Sequence, residues 1–465
     1  MKILVYNIPP VCTDKVHGGS QNILMELIKA LSKHQHEIYL ICSKSKDNMK
    51  PFSMFKKVHV YPLLNANPYC DDNLTLEQIV ENIKIIQKIL EKVNVVLSVD
   101  RAFPIFTQKP ILLILSTLSY HFSIKALLSL NYNKIIVPSH YLFNSIRYIL
   151  SVKNKSMHAF CKVIPNGIDH TFYCPTADIH PVFNAYENAV KILFPHRADP
   201  RKGFKKAIDF MSYINKQYNA YMFIPKQNFF YRKNFYNELL TYAKKLGVED
   251  RIILHKWIRR DELPTYLSSG DISLNLSTLA EGFGLIVYES ILCGTPVIST
   301  KCGALRDVAE ELEGVVWVDH DYTIDDLIAA FENAINNKGV VYQGRELIIT
   351  KYSIESMINS YLDEIEKLTA THGLKLYQEK NVELLPRTTK IGIPPWCYFT
   401  KKGIYSDITG QVHPLTPEEK DVITTNKKMD TKFLSDKEKG IIERFLDKGI
   451  LMESVNISTS NNYKK

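Results

Sequence analysis

The sequence predicts an α/β protein: two doubly wound parallel-sheet domains in series, followed by a small α+β appendage. Three observations carry this. Apolar β runs alternate with segments of helical periodicity through most of the 465 residues. The runs are continuous Val, Ile and Leu, the pattern of strands covered on both faces. The alternation breaks once, near Pro175, and then restarts.

In chain order, "KILVYNI" reads as a strand, "SQNILMELIKALSKH" as a helix and "HEIYLIC" as a strand. Then come the helix "LEQIVENIKIIQKILEKV" and the strands "NVVLSV", "PILLILS" and "KIIVPS". The stretch "VIPNGIDHTFYCPTADIHPVFNAYENA" is rich in Pro, Asn, Gly and Asp and reads as an interdomain linker. Alternation resumes at "KILFPH" and runs to "TIDDLIAAFENAI", after which the helix "SIESMINSYLDEIEKLTATH" closes the second domain. Beyond it, "YFTKKGIYSDITGQVH" reads as a β-hairpin, and capping boxes at Thr416/Glu419 and Ser435/Glu438 each open a helix. Hairpin, helix, helix and strand give a winged-helix-like outline ending in a disordered tail. The expected domains are residues 1–175, 176–370 and 371–465.

Composition narrows the function classes. Apolar content of 45% and charged content of 23% are those of a globular protein. The longest apolar run, "ILLILSTLSY", is about half of what a membrane span needs. The opening "MKILVYNIPP" reads as a first strand and not as a signal peptide. Eight cysteines without a C-x-x-C pair argue against a zinc ribbon or a disulfide framework and suit a reducing cytoplasm. Up to Pro175, about 20 Lys and Arg stand against 11 Asp and Glu, which is the whole of the net +9. That excess suits an anionic substrate, a membrane surface or simply a Lys-rich solvated face. No basic run with interleaved aromatics is present, so nucleic acid is the weakest reading.

The chemistry concentrates in "AEGFGLIVYESILCGTPVIST", residues 280–300. "ISLNLS" before it is a buried strand, and "FGLIVYESILC" is helical until Gly294 and Pro296 stop it. Glu281 therefore stands in the turn from a strand's C-terminal end into a helix N-terminus, where open α/β sheets bind ligands and unpaired amides favour anions. Gly282 and Gly284 allow close approach to the backbone. Glu289, two turns on, can accept hydrogen bonds from a pair of sugar hydroxyls. Upstream, "HRADPRKG" places Arg197 and Lys202 in the loop after the second domain's first strand, cations suited to a diphosphate. Gly18 and Gly19 precede the first helix and supply another backbone cradle. They do not form G-x-G-x-x-G, so nicotinamide binding is not indicated.

These motifs, with "IIVPSHYLFNSI", "VIPNGIDHTFYCP" and "TKCGALRDV", resemble in kind and order those of the family 4 (GT4) retaining glycosyltransferases, glycosyl transferases group 1. The resemblance covers roughly residues 1–370. It implies a GT-B fold, two Rossmann-like domains facing across a cleft that holds a nucleoside-diphosphate sugar, with the closing helix crossing back to the first domain. Glu281 would contact the donor sugar, Glu289 the ribose, and Arg197 and Lys202 the diphosphate. Backbone groups around Phe283, Gly284 and Leu285 would touch sugar and phosphate, and the base would lie near Trp257 and Ile258, which are equally readable as core. Where the family often has His-Asp-Leu, this chain has Ser116-Thr117-Leu118. His121 is then a candidate for positioning donor or acceptor, against the plainer reading of a loop histidine. Asp307 stands where the family usually has an acid one methylene longer.

The implied activity is sugar transfer to an acceptor hydroxyl with retention of configuration. It needs no cofactor or metal, since the cations and amides offset the leaving charge. Asp319-His320-Asp321 reads as a loop and not as a metal site. The acceptor is left open among a glycan, a lipid, a small molecule and a peptide. The expected location is the cytoplasm, with peripheral membrane contact through the basic first domain as an option. The alternative is a GT-B pseudoenzyme or scaffold whose C-terminal appendage recruits a peptide or protein partner.

Overall fold

The computed structural model describes residues 1–11, 18–45, 48–64, 75–152, 154–226, 234–371, 391–425 and 434–453. The tail expected to be disordered lies outside them. Two sheets dominate, of eight and six strands among the described residues. The first holds β1 (Lys2–Tyr6), β2 (Glu37–Ser43), β3 (Phe52–Met54), β4 (Val58–Leu64), β5 (Val95–Val99), β6 (Ile111–Ile114), β7 (Lys134–Val137) and β8 (Cys161–Val163). Their order is β3-β4-β2-β1-β5-β6-β7-β8, parallel except for the β3–β4 edge pair. Sequence reading missed β3 and β4. β4 alternates buried with half-buried residues and carries Pro62, so it lacks the continuous apolar run of its neighbours. β3 covers only Val58 to Val60, which leaves Pro62 beyond it on an open side, and the register of β4 with β2 shifts just past the Cys42–Pro62 pair.

The pleat of this sheet sends Leu4 and Tyr6 to one face and Ile3 and Val5 to the other. The first face is covered by α2 (Leu76–Leu90), α3 (His121–Leu128), α4 (His140–Ile149) and α5 (Asn154–Phe160), the second by α1 (Gly19–Lys33).

The second sheet is wholly parallel: β9 (Val190–Leu193), β10 (Ala220–Lys226), β11 (Ile252–Lys256), β12 (Ile272–Asn275), β13 (Val297–Thr300) and β14 (Val315–Val318). Its order, β11-β10-β9-β12-β13-β14, reverses direction between β9 and β12. That reversal opens a crevice at the strands' C-terminal ends. Helices α6 (Phe204–Ile214), α7 (Phe235–Lys245), α8 (Leu263–Ser268), α9 (Leu285–Leu292), α10 (Ile324–Asn336) and α11 (Val341–Lys351) clothe it.

The chain crosses between the domains twice, at neighbouring places. On the way out, the Ile168 N–H donates to the Tyr352 carbonyl at 2.9 Å. A Cβ on Gly167 would lie 2.4 Å from Ile354 Cα, so only glycine lets the two crossings lie this close. On the way back, α12 (Ile354–Thr371) packs Met357, Tyr361, Ile365 and Leu368 into the core of the first sheet. Its buried Glu364 meets Lys162 at 2.8 Å and Lys134 at 3.6 Å. Among the described residues no helix is long and apolar enough to cross a membrane.

The appendage comprises β15 (Ile391–Gly392), β16 (Cys397–Phe399), β17 (Gly403–Ser406), β18 (Gln411–Pro414), α13 (Pro417–Thr425), α14 (Asp436–Asp447) and β19 (Met452–Glu453). The segment read as one hairpin forms three antiparallel strands, because it turns twice, after Phe399 and at Gly410 in the left-handed region (φ 65°). Both capping boxes form, Thr416 with Glu419 and Ser435 with Glu438. The result is a meander under two helices, closed by a β15–β19 pair, in place of the hairpin that suggested a winged helix.

Tyr361 is 3% exposed between α12 and the first sheet. Tyr361→Ala is expected to cost about 3–5 kcal/mol, the range for emptying a buried aromatic site. Urea denaturation of the full chain would measure it, and a loss under about 1 kcal/mol would show that this helix does not fasten the domains.

Candidate active site

Two loops flank the strand reversal. One follows β9 and carries His196, Arg197 and Lys202. The other follows β12 and carries Glu281. They are laced together: the Thr278 N–H donates to the Arg201 carbonyl at 2.7 Å, and the Thr278 hydroxyl donates to the same oxygen at 3.2 Å. Gly203, at φ 86°, sits against Leu276, where a Cβ would lie 2.2 Å from the carbonyl oxygen. A larger residue there would push the loops apart.

This lacing brings Lys202 Nζ into a hydrogen-bonded ion pair with Glu281 Oε1. Both side chains are shielded, at 11% and 16% exposure. Burial raises the Glu281 carboxyl, but Lys202 chiefly, with Arg197 behind it, brings it below the ordinary carboxylate range. His196, wholly inside the domain, uses Nε2 to donate to the Leu274 carbonyl at 2.8 Å. Burial and then Lys202 press its pKa down to about 4, so it stays neutral. Arg197 is the most open of the group, at 38% exposure. Its guanidinium donates to the Tyr120 hydroxyl of the first domain.

Gly282, Phe283 and Gly284 lead into α9, whose N-terminal amides face the same crevice. The Phe283 ring is not free for a ligand: it stacks on Tyr288 at 4.6 Å in the core, which leaves only its backbone at the surface of the site. Gly284 takes the left-handed region (φ 89°) and lies against Leu305. Glu289, on the second turn of α9, is buried. Burial pushes its carboxyl up to about 7, opposed by the Tyr173 hydroxyl and Arg260. Arg260 in turn reaches across the cleft to Glu26 on α1 at 2.6 Å.

The first domain closes over these loops. Gly282 passes so near the Ser116 carbonyl that a Cβ would lie 1.8 Å from its oxygen. The Ser119 hydroxyl donates to the Ala280 carbonyl at 2.7 Å. Gly19 opens α1 directly against Leu285, while a Cβ on Gly18 would face open space. Asp307 accepts from the Tyr141 N–H at 2.8 Å, at the start of α4, and so joins the domains. His121 is exposed at the first position of α3, and the described contact to Arg197 comes from its neighbour Tyr120. Trp257 is 39% exposed just past β11, and Ile258 packs on the second domain's core.

Sequence reasoning missed Tyr120, Tyr173, Glu26 and Arg260. Each acts across a domain or linker boundary, and no local spacing signals that. Among the described residues no cluster of three His, Cys, Asp or Glu could hold a metal. Asp319, His320 and Asp321 point to separate protein partners: Lys301 at 3.1 Å, the Tyr405 ring, and the Lys402 N–H at 2.6 Å.

Two Rossmann-like sheets facing across a cleft, with cations and a helix N-terminus at the reversal of strand order, define the GT-B class of glycosyltransferase fold. Residues 176–349 match the family described as glycosyl transferases group 1. A D-inositol 3-phosphate glycosyltransferase of Xylanimonas cellulosilytica is 34% identical over 85 residues, 18% of this chain and 20% of that protein. The N-acetyl-alpha-D-glucosaminyl L-malate synthase of Bacillus anthracis is 26% identical over 126 residues, 26% of this chain and 32% of that one. These matches span less than half the length of either relative. Among solved structures, a sucrose-phosphate synthase from Thermosynechococcus elongatus superposes with a TM-score of 0.68 at 17% identity, covering 79% of this chain and 99% of that one. Anabaena HepE, solved with UDP and glucose, gives 0.62 at 17% identity, covering 79% and 100%. At such identities the likeness fixes the fold.

The raised Glu289 carboxyl gives a pH test. The folded state holds this proton more tightly than the unfolded chain, whose carboxyl titrates near 4.5. Its contribution to stability is therefore complete below about pH 4.5 and lost as pH rises through about 7. Wild type should lose stability relative to Glu289→Gln between about pH 5 and about pH 8 in urea titrations. Parallel curves for the two proteins would contradict the assignment.

Proposed function

We propose that this chain transfers a sugar from a nucleoside-diphosphate sugar to an acceptor hydroxyl, with retention of anomeric configuration. One observation carries the reading: Arg197, Lys202 and Glu281 converge from two laced loops at the crevice between β9 and β12, beside the N-terminus of α9. As the glycosidic bond breaks, charge gathers on the outer phosphate. Arg197 and Lys202 would offset it, together with the α9 amides, from fixed positions in a site partly shut off from water. Letting go of Tyr120 would free Arg197 to fork onto two phosphate oxygens. Lys202, already paired with Glu281, would stand between sugar and diphosphate.

Glu281 would hold hydroxyls of the donor sugar, and Glu289 those of the ribose. The base would rest along Trp257 and Ile258. The acceptor hydroxyl would attack on the face the diphosphate leaves, and its proton would pass to the departing phosphate oxygen. In this scheme the ionised, half-buried Glu281 stabilises positive charge at the sugar. No step needs a metal or other cofactor. The Anabaena structure solved with UDP and glucose supports a uridine nucleotide as the first donor type to try.

Glu281→Ala should lower kcat by about a hundredfold or more, the scale for a group that meets developing charge. Arg197→Ala should weaken diphosphate binding, with a smaller effect on the melting point because the side chain is 38% exposed. Turnover of a panel of UDP- and GDP-sugars, with product configuration read by NMR, checks both variants and the stereochemistry. Near-normal turnover in Glu281→Ala, or an inverted product, would overturn the proposal.

A further inference from the structure

The appendage is built into the back of the site. From β17, the Tyr405 hydroxyl donates to the Thr278 carbonyl at 3.2 Å. Thr278 is the residue whose N–H holds the Arg201 carbonyl. One appendage hydroxyl is thus a single residue away from the loop that carries Arg197 and Lys202. The Tyr405 ring is itself fixed, stacked on His320 at 3.7 Å and 7°.

Two residues further on, Asp407 enters the second domain, its side chain only 1% exposed. Oδ2 accepts from Arg306 at 2.6 Å and Oδ1 from the Gly303 N–H at 3.3 Å. Its own N–H donates to the Trp396 carbonyl at 2.8 Å. A carboxylate this deep is tolerated only when its oxygens find charged and polar donors. Both donors belong to the turn that braces Glu281. A Cβ on Gly303 would lie 2.3 Å from the Glu281 carbonyl oxygen, and the Ala304 N–H donates to that oxygen at 2.8 Å. Arg306 also lies over the Tyr398 ring at 4.6 Å and over Tyr141 of the first domain at 5.1 Å. One guanidinium therefore ties the Glu281 turn to the appendage and to the opposite wall of the cleft.

We propose that Tyr405 and Asp407 are positioning residues for glycosyl transfer: the appendage is a third wall that holds the Glu281 and Arg197–Lys202 loops in register. The proposal rests on the glycosyltransferase reading of the site. Neither residue need touch substrate. Each acts through a backbone that bears a reacting side chain, where a displacement of about 1 Å can cost a hundredfold in rate.

The test uses the full chain carrying Tyr405→Phe, Asp407→Asn or Asp407→Ala, with UDP-glucose and GDP-mannose turnover and amide hydrogen exchange as readouts. Tyr405→Phe keeps the stacked ring and deletes only the hydroxyl, so it guards against misfolding of the Asp407 variants. The expected result is a fall in kcat of about tenfold in Asp407→Ala, less in Tyr405→Phe, with KM little changed. Asp407→Asn, which keeps an acceptor for Gly303, should recover part of the loss. Exchange should quicken in residues 276–285 and 301–307 and not elsewhere. Unchanged kcat and exchange in Tyr405→Phe and Asp407→Ala would overturn the proposal and leave the Glu281 reading standing. A lower melting point with faster exchange throughout would also overturn it, in favour of a merely structural role. A wild-type chain that turned over neither sugar, and matched Glu281→Ala, would remove both readings together.

Discussion

A buried ammonium and a half-buried carboxylate face each other at Lys202 and Glu281, and much of the surrounding structure serves to keep them there. Either charge alone would be costly out of water, and removing one partner of such a pair commonly costs about 3–5 kcal/mol. The pair exists because β9 and β12 are neighbours in the sheet although about 80 residues separate them in sequence. Their loops then emerge side by side. Gly203 lets one loop touch the backbone of the other, and Thr278 locks them. Neutral His196 beneath adds no competing charge.

The second constraint is closeness between domains. Gly282 lies against Ser116, Gly19 against Leu285, and Gly167 against Ile354. In each case a missing side chain sets the separation, and polar contacts such as Ser119 to Ala280, Asp307 to Tyr141 and Arg260 to Glu26 set the register. The paired crossings at residues 168 and 352 are joined by a backbone hydrogen bond, and α12 fastens the second domain to the first sheet by apolar burial. Across the cleft itself the contacts are polar, Arg197 with Tyr120 among them, and both cores lie away from it.

The appendage changes how the site should be regarded. In a two-domain cleft the Glu281 turn would be braced by its own sheet and by Ser116 and Ser119 of the first domain. Here Asp407 and Tyr405 brace it from the side, and Arg306 carries the contact onward to Tyr141. The segment outside the family match thus packs directly against the loops of the candidate site.

The sequence by itself determined the α/β class, the two rounds of strand and helix, the linker, and the local setting of Glu281, Glu289, Arg197 and Lys202. Those follow from periodicity, glycine and proline placement and strand–turn–helix order, which act over a few residues. It did not show β3 and β4, where a short edge strand and an alternating neighbour with Pro62 give no continuous apolar run, nor the second turn of the appendage meander. Only the tertiary structure decided which distant residues meet: Lys202 with Glu281, Arg197 with Tyr120, Glu26 with Arg260, Asp407 with Arg306. Such pairings are set by strand order and domain docking, and a single sequence carries no local mark of which of its many charges will be buried together.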